Sequence, residues 1–252
     1  MVLTEQRRIL ALRTCTLAGR LLIENGSNME RVNDTLDHLA KSIGLKNFQA
    51  FTTLTGIVIG SDGLPNSQVA NIRYRKNNLS KVTAVNQVSR EVSRGIIGLP
   101  EAYARLQAID RQKAIAYRSL IDAVAAAILS AALMIVFTGD ISDWFLTLII
   151  AGLSYAGFAF IVNRFKVQYL GEFFAAFVTG VLSFSAVKMG IAHDANSMII
   201  GSVMPLVPGI PLTNAARDLV SGNLISASTR AIEALLTAVA IGGAIVIVTR
   251  FY

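Results

Sequence analysis

WFLTLIIAGLSYAGFAFIV, residues 144–162, runs for 19 residues without one charged side chain. A helix needs about 20 apolar residues in succession to cross the hydrocarbon core of a bilayer. Four more blocks of that kind flank it. Together the five occupy roughly residues 119–137, 144–162, 169–187, 197–216 and 231–249, joined by short polar linkers. A soluble protein burying five such helices would need a much larger polar shell than 252 residues provide. Composition agrees: 53% of the chain is hydrophobic and 15% charged, against roughly 25% charged in an ordinary soluble domain. Mean hydropathy is +0.55. Disordered, fibrous and disulfide-stapled classes are excluded, the last because Cys15 is the single cysteine. The charged start, MVLTEQRR, has no apolar core with a small-residue cleavage site and does not read as a cleaved signal peptide.

Working outward, charge divides the chain into two environments. Residues 1–118 carry 17 basic and 9 acidic side chains, and residues 119–252 carry 6 and 7. The expected fold is an α-helical integral membrane protein of five transmembrane helices (residues 119–252), preceded by a cytoplasmic α+β domain (residues 1–118). Lys and Arg gather on the cytoplasmic side of membrane proteins. With the N-terminal domain inside, only Lys188 and Arg250 of the 23 basic residues fall outside. Five spans then put Tyr252 on the external side.

The N-terminal part reads as mixed structure. Residues 4–25 suit a helix stopped by Gly26. Ser27-Asn28-Met29-Glu30 has the pattern of a capping box, and Met29, Val32, Leu36, Leu39 and Ile43 mark one helical face that ends at Gly44. Strand-like runs follow at residues 47–52, 55–61 and 68–75, with Asp62-Gly63 as a turn and Ala70, Ile72 and Tyr74 on a buried face. Leu79, Val82, Val85, Val88, Val92 and Ile96 predict a long amphipathic helix ended by Gly98. Pro100 then suits the first turn of another helix, carrying Tyr103, Leu106 and Ile109.

The chemistry concentrates in residues 204–230, MPLVPGIPLTNAARDLVSGNLISASTR. Pro205, Pro208 and Pro211, with Gly209, stand inside an apolar run where no regular helix can continue. Unwound backbone at membrane depth is tolerated where it lines a cavity or is buried in protein, and transporters place substrate at such breaks. Asn214, Arg217 and Asp218 follow at once. Arg217 and exposed helix N–H groups suit a carboxylate, Asn214 can donate and accept, and Asp218 suits an ammonium, a proton or the compensation of a nearby arginine. The candidate substrate-binding residues are therefore Pro208, Gly209, Asn214, Arg217 and Asp218.

PGIPLTNAARDLVSGNLISASTRAIEALL resembles the signature of the bacterial threonine/serine exporter family. AGRLLIENGSNMERVNDTLDHLAKSIGL and REVSRGIIGLPEAYARL resemble that family's N-terminal part. The family pattern carries over onto Pro208, Gly209, Asn214, Arg217, Asp218, Ser221, Gly222 and Arg230; Asn223 stands where many relatives are expected to have Asp. The resemblance implies export of threonine- or serine-like amino acids, or of dicarboxylates such as succinate. It implies ten spans in one chain or two. Five spans here mark the larger component of a split exporter, with a small five-span membrane protein of the same family as its partner in the inner membrane.

Asp122, Glu172 and Glu233 are ionisable groups within spans and the candidates for proton coupling. Arg230 and Glu233, three apart, could pair on one helix face. His193 with Asp194 reads as a polar loop and His38 as a surface residue. Arg73, Arg75 and Lys76 reflect positive-inside bias rather than a nucleic-acid partner. There is no phosphate-binding glycine loop, no metal spacing and no nucleophile–base pair, so neither a cofactor nor an enzymatic role is expected. The competing class is a membrane-anchored sensory or binding module with a basic cytoplasmic domain. Such an anchor has no use for a proline-broken span.

Overall fold

The structure is a computed structural model and describes residues 4–61, 67–112 and 118–252. The chain divides into two compact units. The first joins Met1–Lys113 to Ile210–Ala231 and the second joins Ala114–Gly209 to Ile232–Tyr252. Residues 210–231, which by sequence lie within the apolar half, thus cluster with the N-terminal residues.

The first unit is built around helix α1, Glu5–Glu24. Ala11, Leu12, Cys15, Ala18 and Leu22 recur at helical spacing and are almost fully buried. Helix α2 covers Met29–Ile43 and ends on Gly44, whose φ of 84° is the left-handed conformation that glycine adopts without strain. The capping differs from the expectation. Asn28, not Ser27, is the N-cap, and its side chain accepts the Arg31 N–H. The Ser27 hydroxyl lies near the Asn28 carbonyl instead.

A three-stranded antiparallel meander follows: β1 Gln49–Thr52, β2 Gly56–Gly60 and β3 Gln68–Asn71. Ile57 and Ile59 of β2 point into the core. A Cβ on Gly19 would come within 2.9 Å of Ile57, which shows how closely α1 lies on the sheet. The expected turn at Asp62-Gly63 falls outside the described residues. The third strand is shorter than residues 68–75. Beyond it Ile72 is buried, but Tyr74 is 82% exposed, contrary to the expected alternation. The cause is a change of hydrogen-bond partner: the Lys76 and Asn78 N–H groups donate to the Glu24 and Asn25 carbonyls at the end of α1.

Helix α3 is Leu79–Ser93, and Gly95 at φ 70° ends it, three residues before the expected Gly98. Leu79 and Ile96 are consequently exposed, while Val82, Val85, Val88 and Val92 are buried. Gly98 is instead the N-cap of helix α4, Leu99–Arg111, with Pro100 in its first turn. Leu106 and Ile109 of α4 complete the core.

The second unit holds the apolar helices α5 Arg118–Thr138, α6 Trp144–Phe165, α7 Gln168–Lys188 and α8 Ala195–Val203. α8 runs into a 3-10 turn, Met204–Leu206. The remainder of helix α10, Leu224–Thr249, also belongs to this unit. Among the described residues four helices are long and apolar enough to cross a membrane, and a fifth only if the broken pair Ala195–Leu206 and Gly209–Val220 is one span. Side chains such as Leu120, Val136, Leu153, Phe160, Val239 and Val246 are more than half exposed. Helices that are apolar all round with so exposed a surface suit lipid rather than water.

Close approach is made by small residues. A Cβ on Gly171 would meet Val162 at 2.6 Å, and one on Gly201 would meet Met134 at 2.7 Å. The Asp143 carboxylate is 4% exposed. It accepts the backbone N–H groups of His193 and Asp194, and the His193 ring lies 3.1 Å away. Asp194 in turn caps α8 by accepting the Asn196 and Ser197 N–H groups. The stretch read as a polar loop is an exposed loop, tethered by the Asp143 carboxylate.

Candidate functional site

The helix break falls where the prolines require it. Val207 is extended, with φ −62° and ψ 132°, as a residue before proline prefers. Helix α9, Gly209–Val220, begins at once. Pro211 lies in its first turn, where a missing N–H costs nothing. Gly222, at φ 77°, then turns the chain into α10.

Asn214 and Asp218 are four residues apart on α9 and share a face. Both are bound within the first unit to the turn between α1 and α2. The Asn214 amide donates to the Gly26 carbonyl at 3.1 Å. Asp218, fully buried, accepts the Met29 N–H at 2.8 Å through Oδ1 and the Arg230 Nε–H at 3.0 Å through Oδ2. Arg230 also donates from Nη2 to the Ser27 carbonyl at 2.7 Å. Asn33 of α2 reaches Asn223 at 3.5 Å.

The reason is local. The first N–H groups of a helix have no partner within it and carry positive dipole. Asn28 satisfies one in α2, and Asp218 satisfies another with a full charge. Arg230 compensates that charge and finds a carbonyl for its second donor. A buried ion pair needs such extra hydrogen bonds to offset desolvation.

Among the candidate residues, then, Asn214 and Asp218 are committed to holding the α1–α2 turn. Arg217, on the same helix, is exposed, and Pro208 and Gly209 shape the break. Sequence reading treated Arg230 as a neighbour of Glu233. Its bonds to Asp218 and Ser27 are non-local, and only the resemblance had pointed to it. The carbonyls of Gly26 and Ser27 and the N–H of Met29 carry no side-chain signal at all.

In the second unit Glu172 lies near the start of α7 and is 2% exposed. Gln168 donates to its Oε1 at 2.8 Å. Oε2 is buried without a hydrogen bond, with the buried Thr237 hydroxyl of α10 beside the carboxyl. Asp122 and Glu233 are only partly buried. Of the three ionisable candidates, Glu172 alone is a desolvated carboxyl. Buried hydroxyls surround this unit's interior: Thr179 donates to Ser154 at 2.9 Å, while Ser130, Ser183 and Ser202 have no partner among the described residues.

Several membrane-length helices, a proline-broken helix and a buried carboxyl give this chain the architecture of a multi-pass membrane protein, of the kind from which transporters are built. The model of the family described as "Putative threonine/serine exporter" matches residues 13–252, and the chain belongs to that family. No curated protein and no solved structure matches the chain.

Proposed function

We propose that this chain is a subunit of a secondary active exporter of small carboxylate-bearing metabolites, threonine- or serine-like amino acids or dicarboxylates such as succinate. The family match over residues 13–252 carries the reading. The protein sits in the bacterial inner membrane, with the N-terminal domain in the cytoplasm and Tyr252 outside. A small five-span protein of the same family supplies the other half of the pathway.

Residues 208–218 form the substrate wall. Arg217, in the last turn of α9, meets the carboxylate. Asp218 and Asn214 hold that helix in place. Export is driven by the proton-motive force through Glu172. A carboxyl without a partner for Oε2 can take up a proton on one side and release it on the other when its surroundings change.

Transport in proteoliposomes, with and without the five-span partner, tests the reading. Threonine or succinate efflux should require both chains and follow an imposed proton gradient. Glu172→Gln should abolish gradient-driven efflux and spare equilibrium exchange. Robust transport by the monomeric chain alone would remove the partner, and a reporter at Tyr252 scoring as cytoplasmic would remove the topology.

A further inference from the structure

Helices α2 and α3 enclose a groove of about 310 Å³ in the first unit. That is near the lower end of the roughly 300–1,000 Å³ of small-molecule sites, so its occupant is a small metabolite rather than a nucleotide. Two hydrogen bonds bracket it. Thr35 bonds Asn86 at 3.2 Å, and Ser42 bonds Ser93 at 2.9 Å. Each pair is 51 positions apart, so the two helices run parallel in a fixed register.

That register places the charges. Asp34 and His38 stand one turn apart on α2, and Arg90 and Arg94 one turn apart on α3. Among the described residues the Asp34, His38 and Arg94 side chains make no hydrogen bond or ion pair. Arg90 donates to Gln87 alone, at 2.7 Å. Arg90 lies level with residue 39 of α2, five residues beyond Asp34. At about 1.5 Å per residue the two positions are offset by roughly 7–8 Å along the helix axes. An acidic side chain on one helix and a basic one on the other can take the ammonium and the carboxylate of one zwitterionic ligand through charge-assisted hydrogen bonds. Ser89, buried at the floor with its hydroxyl making no hydrogen bond, can meet a hydroxyl on the next carbon.

We infer that the α2–α3 groove is a second binding site for a hydroxyl-bearing α-amino acid, separate from the transport path, through which the first unit senses the exporter's own substrate. The inference rests on the amino-acid branch of the export reading and names a regulatory site within it. The ammonium goes to Asp34, the carboxylate to Arg90 with Arg94 behind it, and the hydroxyl to Ser89. Succinate would set a carboxylate against Asp34 and is rejected. The site has a route outward within its own unit. α2 starts at Met29, whose N–H is held by Asp218, so occupancy of the groove bears on α9 and on the first turns of α10.

The chain has two histidines, His38 in the groove and His193 far from it in sequence. In full-length protein carrying isotope-labelled histidine, L-threonine and L-serine should move the His38 ring signals saturably and leave those of His193 in place. Alanine should act more weakly, and succinate and inorganic phosphate should not act at these concentrations. Asp34→Ala and Arg90→Ala should each weaken the response at least tenfold with unchanged melting temperature. A silent His38 well above millimolar threonine overturns the inference. So does an equal response to succinate or phosphate, which would make the groove a general anion patch, or a response that survives both substitutions. Efflux by the same preparation separates the two readings. Export with a silent His38 removes the groove and keeps the transporter. A responding His38 in protein that moves no amino acid, with its partner present, keeps the groove and removes the export reading.

Discussion

Asp218 and Met29 are 189 positions apart, yet the carboxylate of one accepts the backbone N–H of the other at 2.8 Å. With Arg230 on its second oxygen, Asp218 ties together two of the stretches that resemble the exporter family, residues 18–45 and 208–236. α10 belongs to the first unit over its opening turns and to the second thereafter as one unbroken helix.

Removing either partner should be costly, because the other is left charged and buried. Asp218→Ala and Arg230→Ala are each expected to lose about 3–5 kcal/mol of stability. The double variant should lose less than the sum, with a coupling of roughly 0.5–3 kcal/mol, since it leaves no orphaned charge. Equilibrium unfolding in detergent measures the cycle. Strict additivity would mean that the pair does not act as a unit.

The apolar helices could be read from the sequence because their signal is composition, which needs no partner. The proline break at residues 204–211 was equally legible, since the missing N–H and the preference of Val207 are local properties. Tyr74 was misplaced because alternation persists in sequence after β3 has stopped pairing at Asn71; the Lys76 bond to Glu24 that ends the strand joins residues 52 apart. The same reason hides the Asp218 lock. Half of its partners are backbone groups of Ser27 and Met29, which any residue would supply. His38 is exposed, as the polar face of α2 predicts; what α2 alone does not say is that α3 runs beside it with two arginines.

Cys15 lies in the core of α1 with no exposed surface. Burial disfavours the thiolate and pushes its pKa up to about 12. The thiol should resist maleimide at pH 8 in folded protein and react fully once the protein is unfolded. Rapid labelling without unfolding would show that the α1 core opens locally.

The clamp at Asp143 gives a pH dependence with a definite sign. Burial raises the carboxyl's pKa, but the Asp194 N–H, the His193 ring and the His193 N–H outweigh it, so Asp143 titrates below the ordinary range. A depressed folded value stabilises fully above the unfolded pKa of about 3.9 and is lost as pH falls through the lower folded value. Hydrogen exchange at residues 191–194 should accelerate as pH is lowered below about 4, after correction for intrinsic rates. Asp143→Asn, which removes the charge from these bonds, should cost about 1.5–3 kcal/mol at neutral pH and abolish that acid step. An acid step of the same size in Asp143→Asn would assign it to another group.

Asn214 and Arg217, three positions apart on α9, should fail in different ways. The Asn214 amide holds the Gly26 carbonyl, so Asn214→Ala should lose about 0.5–1.5 kcal/mol of stability and impair export through loss of the lock. Arg217 is exposed, and Arg217→Ala should alter stability by no more than about 0.5 kcal/mol. If Arg217 meets the substrate carboxylate, the lost charge-assisted bond, worth about 1.5–3 kcal/mol, should weaken apparent affinity roughly 10- to 150-fold. Arg217→Lys should recover only part of it, because an ammonium cannot make the paired bonds of a guanidinium. The measurement is concentration-dependent efflux set beside melting temperature for the three variants. Unchanged affinity in Arg217→Ala would move the substrate site away from α9 and leave the proline break a structural device that delivers Asn214 and Asp218 to the α1–α2 turn.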